Sequence, residues 1–130
     1  RAMSVNRVLK LRRFLEATLA DVHSRVWYED APDDAVYPFL VYSLDESFDD
    51  GSVETVNLVI DGWDAPVNGD TTELEEIMGK VDNTLHRLNA GDDELFFIFY
   101  RSNRRTIHDP DRRLRRRQLE FETKVMGGNM

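Results

Sequence analysis

Apolar residues recur along this chain with two periods, and the change from one to the other predicts its elements. Val8, Leu11, Leu15, Leu19 and Val22 fall at helical spacing, while Arg7, Lys10, Arg13 and Glu16 lie on other faces. A first helix is therefore expected from a cap at Ser4 to about Ala20. Val26 and Tyr28 flank Trp27 in a short extended piece, Arg25–Tyr28, and Glu29–Tyr37, with Pro32 and four acids, reads as a loop. After Pro38, Phe39–Leu44 is rich in β-formers and Asp49-Asp50-Gly51 signals a turn. Val53–Ile60 then returns with Val56, Leu58 and Ile60 on one face, which makes a hairpin.

Asp61–Asp70 holds two Gly, one Pro and one Asn and reads as an irregular connection. Thr72 and Glu75 have capping-box spacing. Behind them Leu74, Ile77, Met78, Val81, Leu85 and Leu88 trace one stripe, with Glu73, Glu76, Lys80, Asp82 and Arg87 pointing elsewhere. That predicts a second helix, ended by Asn89-Ala90-Gly91. Glu94–Arg101 predicts a strand apolar on both faces, Phe96, Ile98 and Tyr100 on one and Leu95, Phe97 and Phe99 on the other. With both helices on one face, the other must pack against a loop or serve as a subunit interface. His108–Asp111 is a turn, and the last strand, to about Val125, alternates Leu119, Phe121, Thr123 and Val125 with Gln118, Glu120, Glu122 and Lys124. The order is α-β-β-β-α-β-β. The fold class expected is α+β, a single antiparallel sheet of about four to five strands with two helices packed on one face.

The length of 130 residues and mass of 15.2 kDa fit one domain, 1–130, in which Arg1-Ala2 ahead of Met3 reads as a vector remnant and 127–130 as a flexible end. Cysteine is absent, which excludes disulfides, cysteine-ligated metals and thiol catalysis. The longest apolar run, Leu95–Tyr100, is far below the ~20 residues of a membrane-spanning helix. No signal-peptide pattern opens the chain, so a soluble, intracellularly made domain without a membrane partner is expected.

Charge adds more than composition does. The net charge of −8 divides into +4 over residues 1–20, −17 over 21–94 and +5 over 95–130. A chain so polarised can associate head to tail, the acidic part of one copy attracting the basic part of the next. Eight arginines fall between Arg101 and Arg117: Arg101, Arg104, Arg105, Arg112, Arg113, Arg115, Arg116 and Arg117. Extending the last strand's alternation backwards puts Arg113, Arg115 and Arg117 in phase with its buried face, where they cannot sit unpaired. Either the strand begins later or its first half projects beyond the sheet, and the hairpin Arg101–Arg117 then forms a basic arm. The acidic hairpin of Asp45, Glu46, Asp49 and Asp50 is its natural complement.

Other chemistry is poorly supported. A calcium loop begun at Asp45 has neither Gly at its sixth position nor Glu at its twelfth. His23, His86 and His108 are scattered, the serines lack a nucleophile-elbow context, and Gly62 and Gly69 are too isolated for a phosphate loop. Asp61 and Asp64 beside Trp63 read as a polar strand end. No catalytic, metal or cofactor site is expected, and the chain is not expected to be an enzyme. A pI near 4.8 and the acidic middle section argue against nucleic acid and for a protein partner, most simply a neighbouring copy.

Several features in order carry a family resemblance. An N-terminal helix leads to Arg25-Val26-Trp27-Tyr28, a Pro-containing loop, and Tyr37-Pro38-Phe39-Leu40-Val41-Tyr42. Val56-Asn57-Leu58-Val59-Ile60-Asp61-Gly62-Trp63 follows, then a helix through Leu85, then Asp109-Pro110-Asp111 before a strand with Leu119-Glu120-Phe121. Over nearly its whole length the chain resembles the tail-completion proteins of long-tailed bacteriophages and prophages, related in fold to tail-terminator and tail-to-head joining proteins. The resemblance implies a structural virion protein, assembled in the bacterial host cytoplasm, that caps the tail tube as a ring of typically six copies. Its partners would be itself, the tail tube protein and the head connector protein, with no cofactor and no catalysis. It carries no site residue of its own, so the arginine arm and the acidic hairpin stand on charge alone. The alternative is a non-catalytic adaptor or regulator of prophage origin that binds an acidic partner, protein or nucleic acid, through the arginine hairpin.

Overall fold

The structure is a computed structural model and describes residues 5–51 and 53–127. Ser4, expected to cap the first helix, lies outside the described residues, as does the end beyond Gly127. Helix α1 spans Val5–Val22, and Leu11, Leu15 and Leu19 of its predicted stripe are fully buried. Strand β1 (Val26–Tyr28) is followed by β2 (Phe39–Asp49), β3 (Glu54–Asp64) and a single 3-10 turn at Val67–Gly69. Helix α2 (Thr72–Leu85), β4 (Asn89–Gly91), β5 (Leu95–Ile107) and β6 (Arg115–Gly127) complete the chain. Leu74, Ile77, Met78, Val81 and Leu85 form the buried stripe of α2, and burying five such side chains contributes on the order of 10 kcal/mol before ordering costs.

The sheet has six strands in the order β1-β2-β3-β6-β5-β4 and is mixed, where four to five antiparallel strands were expected. Two short segments account for the difference. β1 pairs with β2 in parallel, Val26 opposite Leu40, because the loop 29–38 carries the chain back to the end of the sheet where β1 began. Asn89–Gly91 does more than stop the helix. Arg87 takes a positive φ of 66°, Leu88 turns back onto the core, and Asn89–Gly91 pairs antiparallel with Ile98–Phe96 as β4. Three residues without a β-former carry no period, so the edge they meet determines their conformation.

Boundaries also move, and β2 runs to Asp49 rather than ending at Leu44. The capping box at Thr72 does not form; the Asp70 carboxylate instead accepts the Thr72 N–H at 2.9 Å and its hydroxyl at 2.6 Å. β3 continues through Gly62 to Asp64 rather than breaking at Asp61. A Cβ on Gly62 would lie 2.5 Å from the Met78 sulfur, so the missing side chain is what lets α2 rest on this strand. β5 runs six residues beyond Arg101, to Ile107.

Both helices cover one face, as predicted. It presents Leu40, Tyr42, Val56, Leu58, Ile60, Phe97, Phe99, Leu119, Phe121 and Val125, all buried, and Phe14 of α1 stacks on Phe99 at 5.8 Å between centroids. The second face divides. The loop 29–37 lies over one end, where Tyr37 packs on buried Phe39 at 5.2 Å. At the other end Phe96 and Tyr100 remain exposed.

Candidate assembly surfaces

The register places the two charged hairpins at opposite ends of the sheet. Asp49 opposite Glu54 closes β2–β3 at the end where β6 reaches Val125 and β5 begins. Ile107 opposite Arg116 closes β5–β6 at the other end, beside Asp64 and Phe39. The hairpins also lie on opposite sides of the β3–β6 centre, so they occupy diagonal corners.

The acidic hairpin is built by its own carboxylates. Asp49 accepts the Gly51 N–H at 2.8 Å, Asp50 accepts the Val53 N–H at 2.8 Å, and Gly51 supplies the positive φ of 97°. A bulge between Leu44 and Glu46 puts Asp45 out of register, where it accepts the Ser43 hydroxyl at 2.5 Å. Glu46 is exposed with no partner among the described residues, and Phe48 next to the turn is 69% exposed.

The arginine hairpin differs from the projecting arm that alternation suggests. Arg115, Arg116 and Arg117 pair with Asp64, Trp63 and Gly62 of β3, so the start of β6 lies inside the sheet. Five of the eight arginines meet a carboxylate of the same chain. Arg101 bonds Asp82 at 2.6 Å and Arg117 bonds Glu75 at 3.1 Å, both on α2. Arg116 bonds Asp61 at 3.0 Å with its guanidinium over the Trp63 ring, and Arg105 bonds Glu120 at 3.1 Å. Arg113 lies in the turn, where it meets Asp111 at 2.8 Å and, by side-chain and backbone hydrogen bonds, holds that carboxyl down to about 2.

The remaining three have no carboxylate partner. The Arg115 guanidinium donates to the carbonyls of Arg112 and Leu114, while Arg104 and Arg112 are exposed without a partner among the described residues. A cleft of about 400 Å³ opens here between Ile107, Leu114 and the side chains of Arg112, Arg115 and Arg117. The acidic loop 29–37 reaches the same end, with Glu29, Asp30 and Asp33 lining a cleft beside Arg116. The local field is therefore mixed, with positive charge concentrated on Arg104, Arg112 and Arg115.

The carboxylates that claim these arginines carry other local readings in the sequence, Asp61 as a polar strand end and Glu75 as a capping residue. Glu75 and Asp82 are seven residues apart, two helical turns, and so share one flank of α2 beside β6 and β5. Asp61 and Asp64 face opposite sides of β3; Asp61 also accepts from Gln118, and buried Asp64 accepts the Ala65 N–H at 2.8 Å. His86 ends α2 and accepts the Arg101 N–H at 3.0 Å. Among the described residues no group of three His, Asp or Glu could hold a metal, and no helix is long and apolar enough to cross a membrane.

The sequence profile of the family described as tail completion protein gp17 matches residues 7–126. The chain belongs to that family. No curated protein matches it. Among solved structures it is similar to a chain from the virion of a native gene transfer agent particle. The identity is 16% and the TM-score 0.58, over 93% of this chain and 92% of that one. At that identity the likeness is one of fold. Family membership makes the chain a structural component of a phage-type tail. For a tail completion protein the informative surfaces are those that can meet other subunits.

Proposed function

We propose that this protein caps the phage tail tube as a closed ring of copies, six by analogy with the proteins it resembles. The ring ends tube polymerisation and forms the joint with the head connector. One observation supports this reading above others: hairpins of opposite charge leave diagonal corners of one sheet, with Arg104 and Arg112 on one and Glu46 on the other exposed and without a partner among the described residues. Identical subunits with complementary, non-identical patches associate heterologously, and a heterologous contact of suitable rotation closes into a ring. The contact joins Arg104, Arg112 and Arg115 of one copy to the Asp45–Asp50 hairpin of the next, while Arg101, Arg116 and Arg117 fix the arginine hairpin on α2 and β3.

The test is a charge exchange. Arg104→Glu and Glu46→Arg each weaken assembly several-fold while leaving the monomer folded, and the double variant regains part of the loss. Assembled mass unaffected by either single change would overturn the pairing of these two corners.

A further inference from the structure

We propose that the outer half of β5, Ser102–Ile107, is a strand-addition site for a second copy of this chain, and that the copy's β2 beyond Tyr42 is the strand added. The proposal rests on the self-assembly reading above and supplies the backbone of its contact.

The inner half of β5 is bonded along both edges. β4 pairs with Phe96–Ile98, the Arg87 N–H donates to the Phe99 carbonyl, the Phe99 N–H to the Leu88 carbonyl, and the Arg101 N–H to His86 Nδ1. Beyond Arg101 this outer edge has no strand beside it among the described residues, while β6 continues on the inner side to Ile107 opposite Arg116. A bulge at Ser102 shifts the register, after which Asn103 faces Glu120 and Arg104 faces Leu119. The Ser102 hydroxyl donates to the Glu120 carbonyl, so that carbonyl points at β5. By the alternation of an antiparallel ladder, the backbone groups of Asn103 and Arg105 face β6 and those of Arg104 and Thr106 face outward.

The diagonal corner presents the same kind of edge. β1 covers β2 only at Leu40–Tyr42, and the last bond there runs from the Glu29 N–H to the Tyr42 carbonyl. Ser43–Asp49 has β3 on one side and no strand on the other among the described residues. The two segments are six and seven residues long, and β2 and β5 run in opposite directions through the sheet. A second copy in nearly the same orientation, displaced along the diagonal, therefore brings its β2 antiparallel to this β5. Charge selects that pairing. Arg104 meets the acidic edge that carries Asp45 and Glu46, whereas two copies of either edge would place like charges opposite each other. The contact is thus heterologous, as a ring requires.

Thr106→Pro tests the backbone without touching charge. It removes an outward N–H and leaves the β6 ladder intact, a setting in which an edge strand tolerates proline. The expected result is a folded monomer from Thr106→Pro, with Thr106→Ala assembling like the parent. Amide exchange on the unaltered chain gives an independent readout: Arg104 and Thr106 slow at least tenfold in the assembled fraction relative to the monomer. Assembly with both amides still exchanging fast, or a Thr106→Pro chain of unchanged assembled mass, would overturn edge pairing and leave the ring reading standing. A parent chain that stays monomeric at every concentration and salt would overturn both.

Discussion

The two halves of β5 are one continuous strand with opposite environments. From Leu95 to Phe99 alternate side chains are buried against the helices, and β4 and β6 bond both edges. From Ser102 to Thr106 every residue is exposed and, among the described residues, only β6 is alongside. What separates them is cover. Helix α2 ends at Leu85, and its last attachments to the strand are His86 at the Arg101 amide and Asp82 at the Arg101 guanidinium. The inner half is held by apolar burial and belongs to the monomer. The outer half persists because β6 is inside the sheet beside it, while Arg104 and the outward edge of the strand have no partner among the described residues.

Stability measurements can break or sharpen that comparison. Phe99→Ala, in the fully buried inner half, should cost about 3–5 kcal/mol in denaturant unfolding. Arg104→Ala in the outer half should stay within about 0.5 kcal/mol, and similar costs at the two sites would contradict the division. Gly91→Ala should cost about 2–3 kcal/mol. Its φ of 128° is strained for any side chain, and a Cβ there would collide with the Leu95 carbonyl, loosening the one short strand that seals the inner edge. Asp82→Ala, at the junction of the halves, should cost about 1 kcal/mol, since the half-exposed Arg101 can turn to water.

The smallest effect concerns the turn between β5 and β6. Arg113 depresses the Asp111 carboxyl, so whatever it adds is present above the ordinary carboxylate pKa and is lost as pH falls through about 2. A carboxyl titration followed by NMR should find the Asp111 midpoint near 2, and Asp111→Asn should leave stability at neutral pH almost unchanged. A midpoint near 4 would mean that Arg113 is free.

Where side chains were buried in a regular period, the sequence could be read directly. The stripes of α1 and of α2 as far as Leu85, the β2–β3 turn at Asp49-Asp50-Gly51 and the alternation of β6 from Leu119 appear as the spacing predicts, whereas Leu88 falls beyond α2 and Asp82 and Gln118, expected on the outward faces, are buried. β4 could not be read, because Asn89-Ala90-Gly91 has no pattern of its own and is a strand only because β5 passes beside it. The parallel pairing of β1 was equally hidden, since it depends on where the loop 29–38 brings the chain back. The charged hairpins were legible as sequence clusters, but their satisfaction was not. Which arginines find carboxylates is decided by Glu75, Asp82 and Asp61, which tertiary packing brings to them from 42, 19 and 55 residues away.

The central claim is that this chain closes on copies of itself through complementary charged corners. Light scattering on a sizing column at low and high salt tests it most directly. The account predicts a species several times 15.2 kDa at low salt that dissociates toward the monomer as salt rises. A single 15.2 kDa species at every salt and protein concentration would contradict it.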